Sequence, residues 1–189
     1  MVSRRSFIAG SAAGGLIALH GGVARAEAVM TDDGYYSEPW FLESFLELPD
    51  DLSAATEKGK RFAIMWELRG CPYCKETHLV NFARPEISSY IQQHFEVLQL
   101  NILGSREVLD FDGEKIGEKQ FGQKYGVRAT PTFQFFPESI AGLKDKSPRD
   151  REVSRFQGYL EPSPFLAAFR FVAERAYERG SLNDYLKSI

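Results

Sequence analysis

Short apolar runs alternate with amphipathic stretches along most of the chain, and this alternation predicts an α/β fold. Runs of this kind bounded by turn residues are typical of strands. Four are found, at Arg61 to Leu68, Phe95 to Asn101, Thr132 to Phe136 and Glu152 to Tyr159. The first run is apolar at every position from Phe62 to Trp66, which indicates a strand buried on both faces.

The stretches between these runs carry the pattern of helices with one apolar face. Helices are predicted over Trp40 to Lys58 with an interruption at Pro49, from the Cys71 to Cys74 segment to about Phe82, from Pro85 onward, over Gly117 to Tyr125 and over Pro162 to Glu178. The last helix has its apolar stripe at Phe165, Phe169, Val172 and Ala176. Asp112-Gly113, between two short apolar runs, predicts a hairpin within residues 102–116. The resulting order predicts a central mixed sheet flanked by helices, with an N-terminal helical extension.

The chain divides into four segments. Residues 1–26 have the pattern of a signal peptide, residues 27–60 form an N-terminal extension and helix, residues 61–179 form the main domain, and residues 180–189 form a C-terminal tail. Residues 27–39 are polar and rich in turn formers, and they predict a loose lead-in.

The first segment is interpreted as an export signal. Arg4 and Arg5 lie in a run similar to the twin-arginine signal of bacteria, and Ala24-Arg25-Ala26 predicts cleavage after Ala26. An amphipathic helix of the mature domain and an uncleaved anchor are the alternatives. The first interpretation predicts a periplasmic protein, in an oxidising compartment where disulfides persist.

Composition narrows the function classes. The 189 residues suit one domain, and the net charge of −3 gives no indication of a nucleic-acid partner. No stretch is long and apolar enough for a convincing membrane-spanning helix. No glycine-rich nucleotide loop is found in a convincing context, so no cofactor is expected beyond the cysteines themselves.

The two cysteines, Cys71 and Cys74, form a C-x-x-C pair between a predicted buried strand and a predicted helix. At a helix N-terminus, free backbone N–H groups and the helix dipole favour a thiolate at Cys71. Pro72 suits the first helical position, where its missing N–H costs nothing. Cys74, one turn further on, is placed to resolve a mixed disulfide. The spacing therefore predicts a redox-active dithiol.

Two other interpretations of the pair stay open. A structural disulfide closing so short a loop would constrain the unfolded chain by only about 2 kcal/mol. A metal site would use Cys71, Cys74 and His78, but it needs a fourth ligand. Against that, we expect His78 on the exposed flank of the helix, where it tunes the dithiol.

A second element is found at Ala129-Thr130-Pro131, directly before the third predicted strand. A proline in this position is a candidate for a cis peptide bond. With the C-x-x-C pair upstream, we expect Thr130-Pro131 to be cis. A trans proline that only opens the strand is the alternative.

Together these motifs resemble the thioredoxin superfamily over roughly Arg61 to Ala176. The segments Met65 to Lys75, Asp110 to Gly113 and Tyr125 to Pro131 are similar to the periplasmic SoxW-type thioredoxins of sulfur-oxidation systems. The resemblance implies a thioredoxin-like fold and reduction of disulfides on periplasmic partner proteins, with electrons from a membrane thiol–disulfide donor and with the protein as a monomer. It also implies that Tyr73, Thr130, Pro131 and Gly158, with Pro72, border the substrate groove.

Two features depart from ordinary thioredoxin. The buried aspartate of the strand before the dithiol is replaced by Met65, and Glu67, two residues on and on the same predicted face, is the candidate proton acceptor for Cys74. A surface glutamate is the alternative for Glu67. The pair Pro72-Tyr73 matches glutaredoxins instead, but export makes a glutathione-dependent reaction the weaker reading.

The dithiol is therefore predicted to act as a protein-disulfide reductase. Cys71 attacks a partner disulfide, and Cys74 then releases the reduced partner. The alternative direction of electron flow is that of a disulfide-donating oxidase or isomerase. A different class of function is a non-enzymatic metal-binding module. The C-x-x-C spacing is compatible with both directions of electron flow.

Overall fold

The computed structural model describes residues 28–188. The predicted signal peptide, residues 1–26, lies outside the described residues. In chain order the elements are β1 (Val29–Met30), β2 (Tyr36–Ser37), α1 (Leu48–Glu57), β3 (Arg61–Glu67), α2 (Pro72–Glu76), α3 (Pro85–His94), β4 (Phe95–Asn101), β5 (Glu107–Leu109), β6 (Lys115–Gly117), α4 (Glu118–Lys124), β7 (Thr132–Phe135), β8 (Ser154–Gln157), α5 (Pro162–Ala173) and α6 (Leu182–Lys187). A π-helical turn, Thr77–Phe82, extends α2.

The central sheet has four strands in the order β4-β3-β7-β8. Strand β3 pairs parallel with β4 and antiparallel with β7, so that Ala63 is opposite Val97 on one side and Phe135 on the other. Every residue of β3 is buried, as its unbroken apolar run predicts. The predicted mixed sheet flanked by helices is confirmed.

Two hydrophobic cores lie on the two faces of this sheet. One contains Met65 and the α5 residues Phe165 and Phe169, and the other contains Trp66 and Phe121. Successive β3 side chains point to opposite faces, so Met65 and Glu67 share the face covered by α5. Three residues of the predicted apolar stripe, Phe165, Phe169 and Val172, lie in α5 and are buried, and the fourth, Ala176, is buried just beyond the helix end.

The predicted helix over Trp40 to Lys58 is wrong in its first half, because the helix begins only at Leu48. Pro49 stands in its first turn, where a proline is tolerated. The preceding segment uses its backbone groups on the sheet: Leu42 donates to the Val97 carbonyl at 2.8 Å, and Leu46 accepts from Leu109 at 2.8 Å. These interactions outweigh the helical pattern, and Phe45 is left 98% exposed.

Both ends of the described region, residues 28–188, contain more regular structure than predicted. The lead-in, residues 27–39, contains the β1–β2 hairpin. Helix α5 ends at Ala173 and not at Glu178, because Arg175 has a left-handed backbone with φ 53°. The tail contains α6, whose Tyr185 packs on Phe171.

The hairpin predicted at Asp112-Gly113 is confirmed as β5–β6. Asp110, fully buried beside it, accepts hydrogen bonds from Tyr125 at 2.7 Å and from Arg151 at 2.8 Å. A buried carboxylate needs such partners, and these bonds tie the hairpin to the end of α4. No helix among residues 28–188 has the length and apolar character to cross a membrane.

Gly104 is a position where an added methyl group has no room. Its Cβ would lie 3.1 Å from the Asn101 carbonyl oxygen and would collide with the buried Glu118 carboxylate. That carboxylate accepts from the backbone N–H of Asn101 at 2.9 Å and of Arg106 at 3.2 Å. We expect Gly104→Ala to lower the free energy of unfolding by about 1–3 kcal/mol, measured by urea denaturation. Gly180→Ala is the control, since nothing lies within 4 Å of its Cβ, and a change beyond about 0.5 kcal/mol there would contradict this explanation.

Candidate functional site

The C-x-x-C pair lies where β3 delivers the chain into α2. Strand β3 ends at Glu67, and Gly70 turns the chain with φ 74°. Cys71 is the N-cap residue of α2, with extended backbone, and Pro72 is the first helical residue. Cys71 and Cys74 form a disulfide, with their Cα atoms 5.3 Å apart.

The two sulfurs have different surroundings, as predicted. The backbone N–H of Cys74 donates to Cys71 Sγ at 3.1 Å, a contact that stabilises a thiolate on Cys71 when the pair is reduced. Cys71 is partly exposed, whereas Cys74 is only 3% exposed. Cys71 is thus the more accessible of the two sulfurs and the one that a backbone N–H contacts.

The proline loop faces the dithiol. Cys71 Sγ lies 3.5 Å from the carbonyl oxygen of Thr130, and the Thr130–Pro131 peptide bond is cis, as predicted. Gly158 donates its N–H to the Pro131 carbonyl at 2.8 Å, so it borders the same loop. Tyr73 is 55% exposed and stacks on Tyr159 with ring centroids 6.3 Å apart, which gives the rim an aromatic surface.

The position predicted for His78 is wrong. Its side chain is buried, not on an exposed flank, and both ring nitrogens contact carboxylates. Nδ1 lies 2.8 Å from Glu38 Oε1, and Nε2 lies 2.7 Å from Glu67 Oε1. Glu67 is likewise fully buried and not a surface residue. The π-helical turn places His78 between these two carboxylates.

The pKa of His78 reflects two opposed effects. Burial disfavours the charged imidazolium, but the hydrogen bonds with Glu38 and Glu67 outweigh burial and raise the pKa above its ordinary value of 6.5. The histidine therefore keeps a proton to higher pH in the folded protein than in the unfolded chain.

A cavity of about 310 Å³ lies against the dithiol, and Glu67, Cys71 and Cys74 all line it. Its opposite wall comes from the N-terminal segment, through Met30 and the chain from Gly34 to Tyr36. Sequence analysis missed this wall and Glu38, because a short polar hairpin carries no motif. A buried acid that pairs with a histidine 40 positions away has no local signal.

The metal-site alternative finds no support in this geometry. Both nitrogens of His78 are already in contact with carboxylates, so the ring has no free nitrogen for a metal shared with Cys71 and Cys74. Across residues 28–188, no group of three or more histidine, cysteine or acidic side chains is placed to hold a metal ion.

His78 makes stability depend on pH. A folded-state pKa above 6.5 means that the stabilisation is fully present below pH 6.5 and is lost as the pH rises through the folded value. We expect the difference in unfolding free energy between wild type and His78→Gln, from urea denaturation of the oxidised protein, to shrink as the pH rises above 6.5. His94→Gln is the matched control, and a wild-type to His78→Gln difference that stays constant with pH would contradict the expectation.

Several solved structures are similar to this chain. Among solved structures, a thioredoxin-fold protein from Helicobacter pylori is 20% identical with a TM-score of 0.53, and the match covers 74% of this chain and 96% of that one. A thioredoxin from Thermus thermophilus is 23% identical with a TM-score of 0.49, covering 67% and 83%. The oxidised C-terminal domain of DsbD from Neisseria meningitidis is 14% identical with a TM-score of 0.44, covering 69% and 97%.

No curated protein matches the chain. Residues 48–173 match the family described as thioredoxin-like domain, and this range includes β3, the dithiol, the cis-proline loop and α5. The Helicobacter pylori structure shows the same fold. This chain belongs to the thioredoxin-like domain family.

Proposed function

We propose that this protein is an exported protein-disulfide reductase, which reduces disulfides of periplasmic partner proteins through Cys71 and Cys74. The observation that carries the proposal is the disulfide-forming pair at the start of α2, with Cys71 Sγ 3.5 Å from the Thr130 carbonyl. Family membership supports thiol–disulfide oxidoreductase activity at this pair.

The surroundings of the pair suit an extended peptide as substrate. A strand lying along Thr130 finds backbone groups next to Cys71, which is the way main-chain pairing recognises peptides. Tyr73 and Tyr159 offer an aromatic surface beside it, and Gly158 leaves room because it has no side chain. Thr130, Pro131, Gly158, Pro72 and Tyr73 are therefore proposed as the substrate-binding residues.

The reaction needs only the dithiol. The Cys71 thiolate attacks one sulfur of the partner disulfide, forming a mixed disulfide and expelling the other partner sulfur as a thiolate. Cys74 loses its proton and attacks Cys71 Sγ, so that the Cys71–Cys74 bond forms and the second partner thiolate leaves. Two electrons pass from the dithiol to the partner, and no further cofactor is proposed.

The sequence supports the remaining parts of the proposal. The twin-arginine pattern at Arg4 and Arg5 supports export to the periplasm. The resemblance to SoxW-type thioredoxins supports a role in sulfur oxidation, a membrane thiol–disulfide donor that reduces the Cys71–Cys74 bond again, and a monomer. Glu67, buried and lining the cavity with Cys74, is proposed as the acceptor of the Cys74 proton.

The direction of electron flow follows from the reduction potential of the Cys71–Cys74 pair. We expect a value close to the roughly −270 mV of thioredoxin, measured by equilibrium with dithiothreitol buffers of known potential. A value well above about −180 mV would make the protein a disulfide-donating oxidase or isomerase.

Partner proteins are expected to be trapped by Cys74→Ser. The Cys71 thiolate of this variant still attacks partners, but without Cys74 the mixed disulfide persists. We expect conjugates in the periplasmic fraction, resolved by non-reducing gels and identified by mass spectrometry. Cys71→Ser is the matched control, and conjugates of equal yield with that variant would show that Cys71 is not the attacking sulfur.

A further inference from the structure

We propose that Glu38, His78 and Glu67 form a proton relay between the dithiol and a second cavity on the far side of His78. The inference rests on the proposed function and adds to it a route for the proton that Cys74 must lose. Glu67 is the group that meets the dithiol cavity, whereas His78 and Glu38 act through Glu67 and are positioning residues.

The contacts form a continuous line. His78 Nε2 is 2.7 Å from Glu67 Oε1, and His78 Nδ1 is 2.8 Å from Glu38 Oε1. All three side chains are buried, at 0%, 1% and 4% exposure for Glu67, His78 and Glu38. Within residues 28–188, the second oxygen of Glu67, Oε2, is buried and has no hydrogen-bond partner. One end of the line therefore has an unused acceptor.

The two ends of the line meet two different cavities. Glu67 lines the cavity of about 310 Å³ together with Cys71 and Cys74. Glu38 lines another of about 540 Å³, whose wall also includes Glu43 and Arg106. A proton that enters at Glu67 and leaves at Glu38 thus passes from the dithiol cavity to the other cavity without crossing the apolar core.

The chemistry of imidazole suits this role. Each ring nitrogen faces one carboxylate oxygen, so each nitrogen–oxygen pair needs one proton to form a hydrogen bond. Neutral His78 has one N–H, and its unprotonated nitrogen takes a proton from a protonated carboxyl. When Glu67 gains a proton, His78 takes it up at Nε2 and releases its Nδ1 proton to Glu38. The ring changes tautomer, and the opposite passage restores it.

The other groups packed around His78 do not offer an alternative route. From β2, Tyr36 stacks at 6.1 Å between ring centroids, and Phe41 and Phe82 lie at 5.7 Å and 5.3 Å. On its own helix, Cys74 lies one turn towards the N-terminus and is in the disulfide, whereas Lys75 and Glu76 are exposed. The acidic partners of the ring within the described chain are thus Glu38 and Glu67.

In the reductive half-reaction, the relay takes up the Cys74 proton in the step in which Cys74 attacks the mixed disulfide. The Cys74 S–H bond breaks, its proton passes to Glu67, and the electron pair left on sulfur forms the bond to Cys71 Sγ. The Cys71–partner bond breaks, and its electron pair leaves with the partner thiolate. The proton moves on through His78 to Glu38. When the donor reduces the pair again, Cys74 takes a proton back by the same route.

The test separates the two sulfur reactions with Ellman's reagent on the reduced full chain. The first nitrothiobenzoate released reports attack by Cys71, and the second reports attack by Cys74 on the mixed disulfide. Glu38→Gln keeps the shape of the side chain but cannot carry the proton. We expect it to slow the second release about tenfold near neutral pH, a part of the roughly 10²–10⁴-fold typical of a positioned acid or base. The first release is expected to be unchanged.

The matched control is Glu43→Gln, which removes a charge from an exposed residue of the same cavity wall and is expected to leave both releases and their pH profiles at wild-type values. A wild-type rate and pH profile for the second release in Glu38→Gln would overturn the relay and leave the proposed function standing. Equal slowing of both releases would also overturn it, since that is the mark of a general structural effect. A wild-type protein that releases no second nitrothiobenzoate would overturn the proposed function itself.

Discussion

Pairing of one fully buried strand on both of its edges is the constraint from which the rest of the molecule follows. Strand β3 pairs with β4 on one side and with β7 on the other. Each of its two faces contributes side chains to one of the two hydrophobic cores. Its carboxyl end delivers Glu67 into the interior and, four residues later, Cys71 at the start of α2. Strand β7 begins directly after Pro131. The same ladder that stabilises the sheet therefore sets the distance between the dithiol and the proline loop.

Glu67 lies buried at the end of that strand, where burial of a carboxylate is unfavourable unless a neighbouring group compensates it. A carboxylate without water needs a partner, and His78 supplies one from the π-helical turn that extends α2. His78 in turn meets Glu38 on its other nitrogen. Three ionisable side chains are thus buried together beside a disulfide, and the aromatic rings of Phe41 and Phe82 pack against His78.

Sequence patterns predicted the parts of this site that depend on local chemistry. The apolar run of β3, the C-x-x-C spacing and Thr130-Pro131 each carry their reason within a few residues, so fold, dithiol and cis peptide were all foreseen. Periodicity failed over Trp40 to Leu46, because hydrogen bonds to Val97 and Leu109 decide that backbone. His78 was misplaced for a related reason. Its burial depends on Glu38, and helical spacing contains no information about that contact.

The position of Glu38 has a consequence for how such a protein can diverge. The family match begins at residue 48, yet one carboxylate beside His78 and a wall of the dithiol cavity come from residues before that boundary. The module that carries the cysteines is therefore not the whole unit that sets their environment. Substitutions in the appended segment can retune the chemistry of the pair while the C-x-x-C motif and the sheet stay unchanged, so that two proteins with identical motifs need not share a redox character.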